Sequence, residues 1–215
     1  MATFRNSEGR KILLKVVKAI QENKAYLGEV DGLIGDGDHG MNMNKGFTIF
    51  GQRIADRDIS FTQGLEELGT ILMTEIGGSM GPIYGTIFTG MAEGREGLAE
   101  ISLQDFAGMA EHGLSELNGV IAGGVGDKTL LDTLIPAVES LKASEAAGKD
   151  FKTALDEMKQ AAEGGMNSTK DMVAKFGRSS RLGERSRGVL DAGAVSSCII
   201  LKAMADGICE LLPGS

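Results

Sequence analysis

LIGDGDHGMNMNK, residues 33–45, decides how this chain is read, together with Asp31 two positions ahead. Asp31, Asp36 and Asp38 fall within eight positions and interleave with Gly32, Gly35, Gly37 and Gly40. Carboxylates on backbone that bends freely suit a hard divalent cation. Mg²⁺ takes oxygen ligands in near-octahedral geometry and is usually held by a few carboxylates plus substrate phosphates. Within the run no basic residue precedes Lys45, so three close carboxylates would repel one another without a cation. The stretch reads as an acidic loop at a metal–nucleotide site, with an apolar helix starting at its end.

Outward from this loop the spacing is helical. Ile12, Leu13, Val16, Val17, Ile20 and Leu27 predict an amphipathic helix over 7–26, and helical spacing returns over 41–55. Further helices are expected over 62–75, from Pro82 to about 93, and from a Ser102 cap to about 120. Three more should cover 128–147, 150 to about 176 with a break near Gly164-Gly165, and 194–212. No run reads as a strand, so the fold class is all-α, about eight helices in one domain over 1–215. Glycine-rich polar stretches at 31–40, 77–81, 123–127 and 177–193 all precede helix starts. In an up-and-down array, alternate loops gather at one end, where helix N-termini attract anions.

The 215 residues carry a formal net charge of −8, which argues against nucleic acid and anionic membranes as partners. Nucleotides remain compatible, because a bound metal reverses the local field. Cys198 and Cys209 lie on one apolar helical stretch and fit a reducing compartment. The first residues lack an apolar signal core and no apolar run reaches the length of a membrane span, so a cytoplasmic setting is expected.

Other templates fail on context. Gly35-Asp-Gly37-Asp-His-Gly40 matches GxGxxG, but no strand precedes it. An EF-hand begun at Asp36 would place Phe47 where a bidentate glutamate is needed. Gly124-Val-Gly-Asp-Lys-Thr129 faintly resembles a phosphate loop, interrupted by Asp127; Asp127 as a helix cap, with Lys128 in the first turn, is the plainer reading. Arg178, Arg181, Arg185 and Arg187 form either a flexible basic loop or a lid gripping phosphate. Of the two histidines, His39 is set to meet ligand or backbone, and His112 reads as a surface or packing residue.

Five segments in order, IGDGDHGMNMNKGF at 34–47, GGSMGPIYG at 77–85, GDKTLLD at 126–132, GRSSRLGERS at 177–186 and LDAGA at 190–194, resemble the nucleotide-binding L subunit (DhaL) family of dihydroxyacetone kinases. The resemblance covers nearly the whole chain. It implies a barrel of eight antiparallel helices with ADP or ATP capping one end and two Mg²⁺ ions held by Asp31, Asp36 and Asp38. His39, Gly40, Met41 and Asn42 would meet phosphates and metals, as would Ser79 and Met80 from the glycine loop. Leu130 would lie against adenine, Arg178 at the nucleotide, and Asp191, Ala192 and Gly193 along base and ribose. Met80 stands where the family often has a second small hydroxyl residue, and VIAGGV at 120–125 departs from a more basic pattern, leaving the base contact among Ile121 to Gly123 open.

The family places the sugar on a separate K subunit or domain, so the resemblance implies a K partner for a short-chain ketose kinase. The phosphoryl donor is either exchangeable ATP or a tightly held ADP rephosphorylated by a phosphotransferase-system protein, and a homodimer stays open. A non-catalytic, metal-dependent regulatory module is the competing reading.

Overall fold

Five apolar residues of one face, Ile12, Leu13, Val16, Val17 and Ile20, are all buried along α1 (Gly9–Glu22). Each contributes about 1.5–3 kcal/mol relative to exposure. The computed structural model describes residues 2–214. Asn23 ends α1 by donating its side-chain amide to Ala19 O at 2.8 Å, and α2 (Lys24–Ile34) follows at once. The single helix expected over 7–26 is therefore two. Asp31 lies on α2, one turn from its end, and the acidic loop begins only at Gly35.

The remaining α-helices are α3 (His39–Ile54), α4 (Phe61–Glu75), α5 (Met80–Ala92), α6 (Leu103–Val120), α7 (Leu131–Ala146), α8 (Phe151–Ser168) and α9 (Ala192–Cys209). Capping boxes start two of them: Ser60 with Gln63 on α4, and Ser102 with Asp105 on α6. Asp150 caps α8 through Thr153 N at 3.0 Å. The break expected near Gly164-Gly165 is absent. A Cβ at Gly165 would lie 2.0 Å from Asp132 O, so this glycine brings α8 onto α7. One short antiparallel pair escaped the sequence reading: β1 (Thr3–Arg5) and β2 (Glu100–Ser102), with Phe4 opposite Ile101.

Eight helices close a ring. The order α1, α3, α4, α5, α6, α7, α8, α9 is also the packing order, and α9 returns to α1, while α2 lies against α3 and α9. Starts of α3, α5, α7 and α9 meet at one end with the ends of α2 and α6, so neighbours in the ring run in opposite senses. The all-α class read from the sequence is thus the observed one, and the closed ring agrees with the barrel that the family resemblance implies. Against the expectation that no apolar run reaches the length of a membrane span, helix α9 is long and apolar enough to cross one, but 72% of it is buried inside the molecule, as a core helix is.

The mouth of the ring depends on one close approach. A Cβ on Gly40 would lie 2.1 Å from Lys24 O, where the first turn of α3 crosses the start of α2. Gly40→Ala is expected to cost at least about 2 kcal/mol, seen as a fall of about 4–8 °C in the thermal midpoint. An unchanged midpoint would show that the two helices part readily.

Candidate functional site

Three of the four glycine-rich stretches, 31–40, 77–81 and 177–193, line one open cleft of about 770 Å³ at the mouth of the ring, whereas 123–127 lends only its flanks, Ile121 and Ala122 on one side and Lys128 to Leu130 on the other. Its acidic side carries Asp31, Asp36 and Asp38, which bring one carboxylate oxygen each to within 4.8 Å of one another. Asp38 precedes α3 yet caps none of its backbone amides; its carboxylate takes a hydrogen bond from the Asn42 side chain instead. Burial raises its pKa above the usual carboxylate value, and the charges of Asp36 and Asp31 raise it further. Crowded oxygen donors that resist holding their own charges together fit a hard cation such as Mg²⁺. Arg178 reaches across the mouth to pair with Asp36.

His39 is buried beside them, and its amide donates to Asp31 Oδ2 at 3.3 Å. Burial pushes the imidazole pKa down to about 4, so it is neutral at physiological pH. Its Nε2 lies 2.8 Å from Ser196 Oγ on α9, a side-chain partner that the sequence reading did not supply. Asn42 lines the cleft one turn into α3. Gly40 and Met41 do not: Gly40 packs on α2, and Met41 is 59% exposed outside the cleft.

Gly77, Gly78, Ser79 and Met80 form the second wall. Ser79 precedes α5 without a side-chain cap bond, which leaves its hydroxyl available at a helix N-terminus. The third wall is Leu130 with Asp191, Ala192 and Gly193, joined by Ile121 and Ala122. Gly123 is not in the lining, which narrows the stretch 121–123 to its first two residues.

Lys128 corrects the sequence reading. It is not in a helix, since α7 begins at Leu131, and Asp127 caps none. Its φ of 61° turns the side chain inward, where the buried Nζ donates to Thr169 O and Val189 O. Burial pulls its pKa below the usual lysine value, opposed by the charge of Asp191. The loop before α7 is folded by Asp132, whose carboxylate accepts from Gly126 N at 2.6 Å and Thr129 N at 2.7 Å. Of the four clustered arginines, only Arg178 faces the cleft; Arg187 pairs with Glu184 and donates to Asp171 O. Tyr84 and Phe176 also line the cleft. Their one advance signal was their place beside the glycines of 77–85 and 177. His112 is half-exposed near Glu93 and Glu116, well away from these residues.

Asp191 caps α9, accepting from Ala194 N at 2.8 Å, and burial raises its pKa to about 6. The folded carboxyl therefore binds its proton more tightly than the unfolded one, whose value is 3.8. Its contribution to stability is complete below about pH 4 and is lost as pH rises through about 6. Asparagine keeps the cap. Asp191→Asn is thus expected to gain stability relative to wild type between about pH 4 and 7, measured by urea unfolding; a constant gap would contradict this.

A family model described as the DAK2 domain matches residues 33–206. The ADP-binding subunit DhaL of the PEP-dependent dihydroxyacetone kinase of Escherichia coli (strain K12) is 38% identical over 186 residues, covering 84% of this chain and 86% of that protein. The ADP-binding subunit DhaL of PEP-dependent dihydroxyacetone kinase 2 of Listeria innocua is 31% identical over 194 residues, covering 88% of each. Among solved structures, the dihydroxyacetone kinase from C. freundii in complex with AMP-PNP and Mg²⁺ shares the fold. Its TM-score is 0.68 at 21% identity, over 94% of this chain and 34% of that one. The chain belongs to the DAK2-domain family, as a DhaL-type subunit of the dihydroxyacetone kinases.

Proposed function

We propose that this kinase subunit holds ADP through two Mg²⁺ ions and delivers a phosphoryl group to dihydroxyacetone or a similar short-chain ketose on a separate K subunit. The observation that carries this reading is the cleft itself: three crowded carboxylates line the same opening as the Ser79 loop and the Leu130 and Asp191–Gly193 wall. An adenine and ribose fit the apolar wall while phosphates extend toward the aspartates. The relatives named as ADP-binding subunits of PEP-dependent kinases match along most of their own length. That favours a resident ADP, rephosphorylated in place by a phosphotransferase-system protein, over exchangeable ATP.

Asp31, Asp36 and Asp38 would hold the metals, which supply charge neutralisation and alignment of the phosphates when bound. Phosphoryl transfer asks the protein for positioning and electrostatics more than covalent chemistry. The chain's own groups meet that demand. Amides at the start of α3, beside His39 and Asn42, and of α5, beside Ser79 and Met80, present positive helix ends to the phosphates. Arg178, paired with Asp36, would exchange that carboxylate for phosphate oxygens. Leu130 would pack on the base, with Asp191, Ala192 and Gly193 along the ribose. Leu33, Met41, Val120 and Val125 are exposed apolar residues flanking the mouth, suited to a docked K subunit. A cytoplasmic setting agrees with Cys198 and Cys209, which eleven positions of one helix hold about 16 Å apart, beyond disulfide reach.

Native mass spectrometry of washed protein, before and after excess ATP with Mg²⁺, tests the reading. A retained mass of ADP plus two Mg²⁺ that ATP does not displace is expected. Exchange with ATP would overturn the choice of donor. Absence of nucleotide in both states would overturn the function.

A further inference from the structure

A buried chain of hydroxyls and imidazole runs beneath the cleft, between its metal-facing and base-facing walls. Tyr84, on α5, is 3% exposed, and its hydroxyl lies 2.6 Å from Ser196 Oγ and 3.2 Å from Ser197 Oγ. The same hydroxyl is 3.1 Å from Gly193 O, within donating reach. Ser196 Oγ is placed to donate to Ala192 O at 3.0 Å or Gly193 O at 3.2 Å, and it lies 2.8 Å from His39 Nε2. The His39 amide in turn donates to Asp31 Oδ2. Three elements that never adjoin in sequence, the starts of α3 and α9 and the second turn of α5, are thereby tied at one point.

We infer that Tyr84 and Ser196 are positioning residues that hold the aspartate wall in register with the Ala192–Gly193 wall, so that Mg²⁺ and ADP bind cooperatively. The inference rests on the function proposed above and extends it to residues outside the nucleotide and metal contacts. Its physical basis is the composition of α9. This helix is otherwise apolar, and Ser196 and Ser197 are buried within it, where an unsatisfied hydroxyl is costly. With one proton each, Tyr84 and Ser196 bond each other and one of the Ala192 and Gly193 carbonyls. A fully satisfied buried polar network fixes one arrangement of the parts it joins. Tyr84 also separates the cleft from a small apolar cavity inside the ring, lined by Phe88, Phe106, Leu134 and Met204. Without its hydroxyl the two walls keep the single His39–Ser196 bond, and α5 is held to that bond only through packing, which tolerates small slips. A displacement of about 1 Å at a reacting centre can cost about a hundredfold in rate.

Coupling between two ligands is a measurable free energy, and it separates positioning from mere stability. Nucleotide-stripped full-length protein is titrated with ADP by calorimetry, in chelator and in saturating Mg²⁺; the ratio of the two dissociation constants is the coupling. In Tyr84→Phe and in Ser196→Ala that ratio is expected to fall about tenfold. Ser196→Thr, which keeps a hydroxyl, should stay within about threefold of wild type. If Tyr84→Phe does not fold, Ser196→Ala decides. An unchanged ratio, with both ADP affinities reduced in equal proportion, would overturn the inference and leave the proposed function standing. A wild type whose ADP affinity ignores Mg²⁺ would overturn the proposed function, and the inference with it.

Discussion

Replacing Asp36 and Asp38 together with asparagine is expected to abolish Mg²⁺-dependent retention of ADP and to cut phosphoryl transfer at least about 10³-fold. Asparagine keeps the volume of each side chain and removes the charge a metal requires. The fold should tolerate the change well. Asp36 is exposed, and its one ion pair, to Arg178, spans open solvent at the mouth, where such pairs contribute about 0–1 kcal/mol. Asp38 is disfavoured in its charged form by burial and by its two neighbours, so neutralising it relieves repulsion. The double variant should therefore melt no lower than wild type while losing activity with a K subunit. Retained transfer with intact ADP binding would remove the aspartates from the mechanism. A large fall in melting temperature would instead make them structural.

Lys128→Met carries the second large effect, and it acts through the fold. The Lys128 ammonium donates to the carbonyls of Thr169 and Val189, reinforcing a junction that Gly188 N to Lys170 O at 2.7 Å and Asp191 N to Thr169 Oγ1 at 3.0 Å also hold. Hydrogen bonds from a charged donor contribute about 1.5–3 kcal/mol each, and methionine would remove the Lys128 donor from Val189 O and leave Thr169 O with the Met172 amide at 3.3 Å. A loss of about 3 kcal/mol is expected, lowering the melting midpoint by about 6–12 °C. Because Val189 leads into Asp191, the wall along the ribose should loosen too, with ADP affinity falling about tenfold. A midpoint within about 2 °C of wild type would show that the ammonium holds nothing in place.

The helical architecture was legible because its signals are local. Apolar spacing along α1 and the Ser102 cap act within a turn or two of chain, and the helix boundary at Leu103 follows from that cap. The candidate site was legible in its acidic and glycine-rich parts for the same reason. What stayed hidden depends on distant partners. Asp31 read as loop because glycines surround it, whereas packing of α2 on α3 and α9 keeps that segment helical. The β1–β2 pair joins residues nearly one hundred positions apart with three residues a side, too short for any pattern to show. Gly165 read as a breaker because its close contact, Asp132 O, lies on another helix. Lys128 read as a helix start; its positive φ and its carbonyl partners exist only once the segments around 169 and 189 are in place. Ser196 gave no sign at all, since a serine in an apolar helix announces neither Tyr84 nor His39.

The alternating sense of the helices has a practical corollary. β1 pairs with the segment just before α6, and the last turns of α9 pack on the first turns of α1, so Thr3 and Leu212 both lie opposite the mouth. A tag, fluorophore or surface tether attached beyond either of them leaves the cleft facing outward. The molecule can thus be immobilised by whichever terminus is convenient and still receive a protein partner, which makes it suited to measuring docking on a sensor surface one partner at a time.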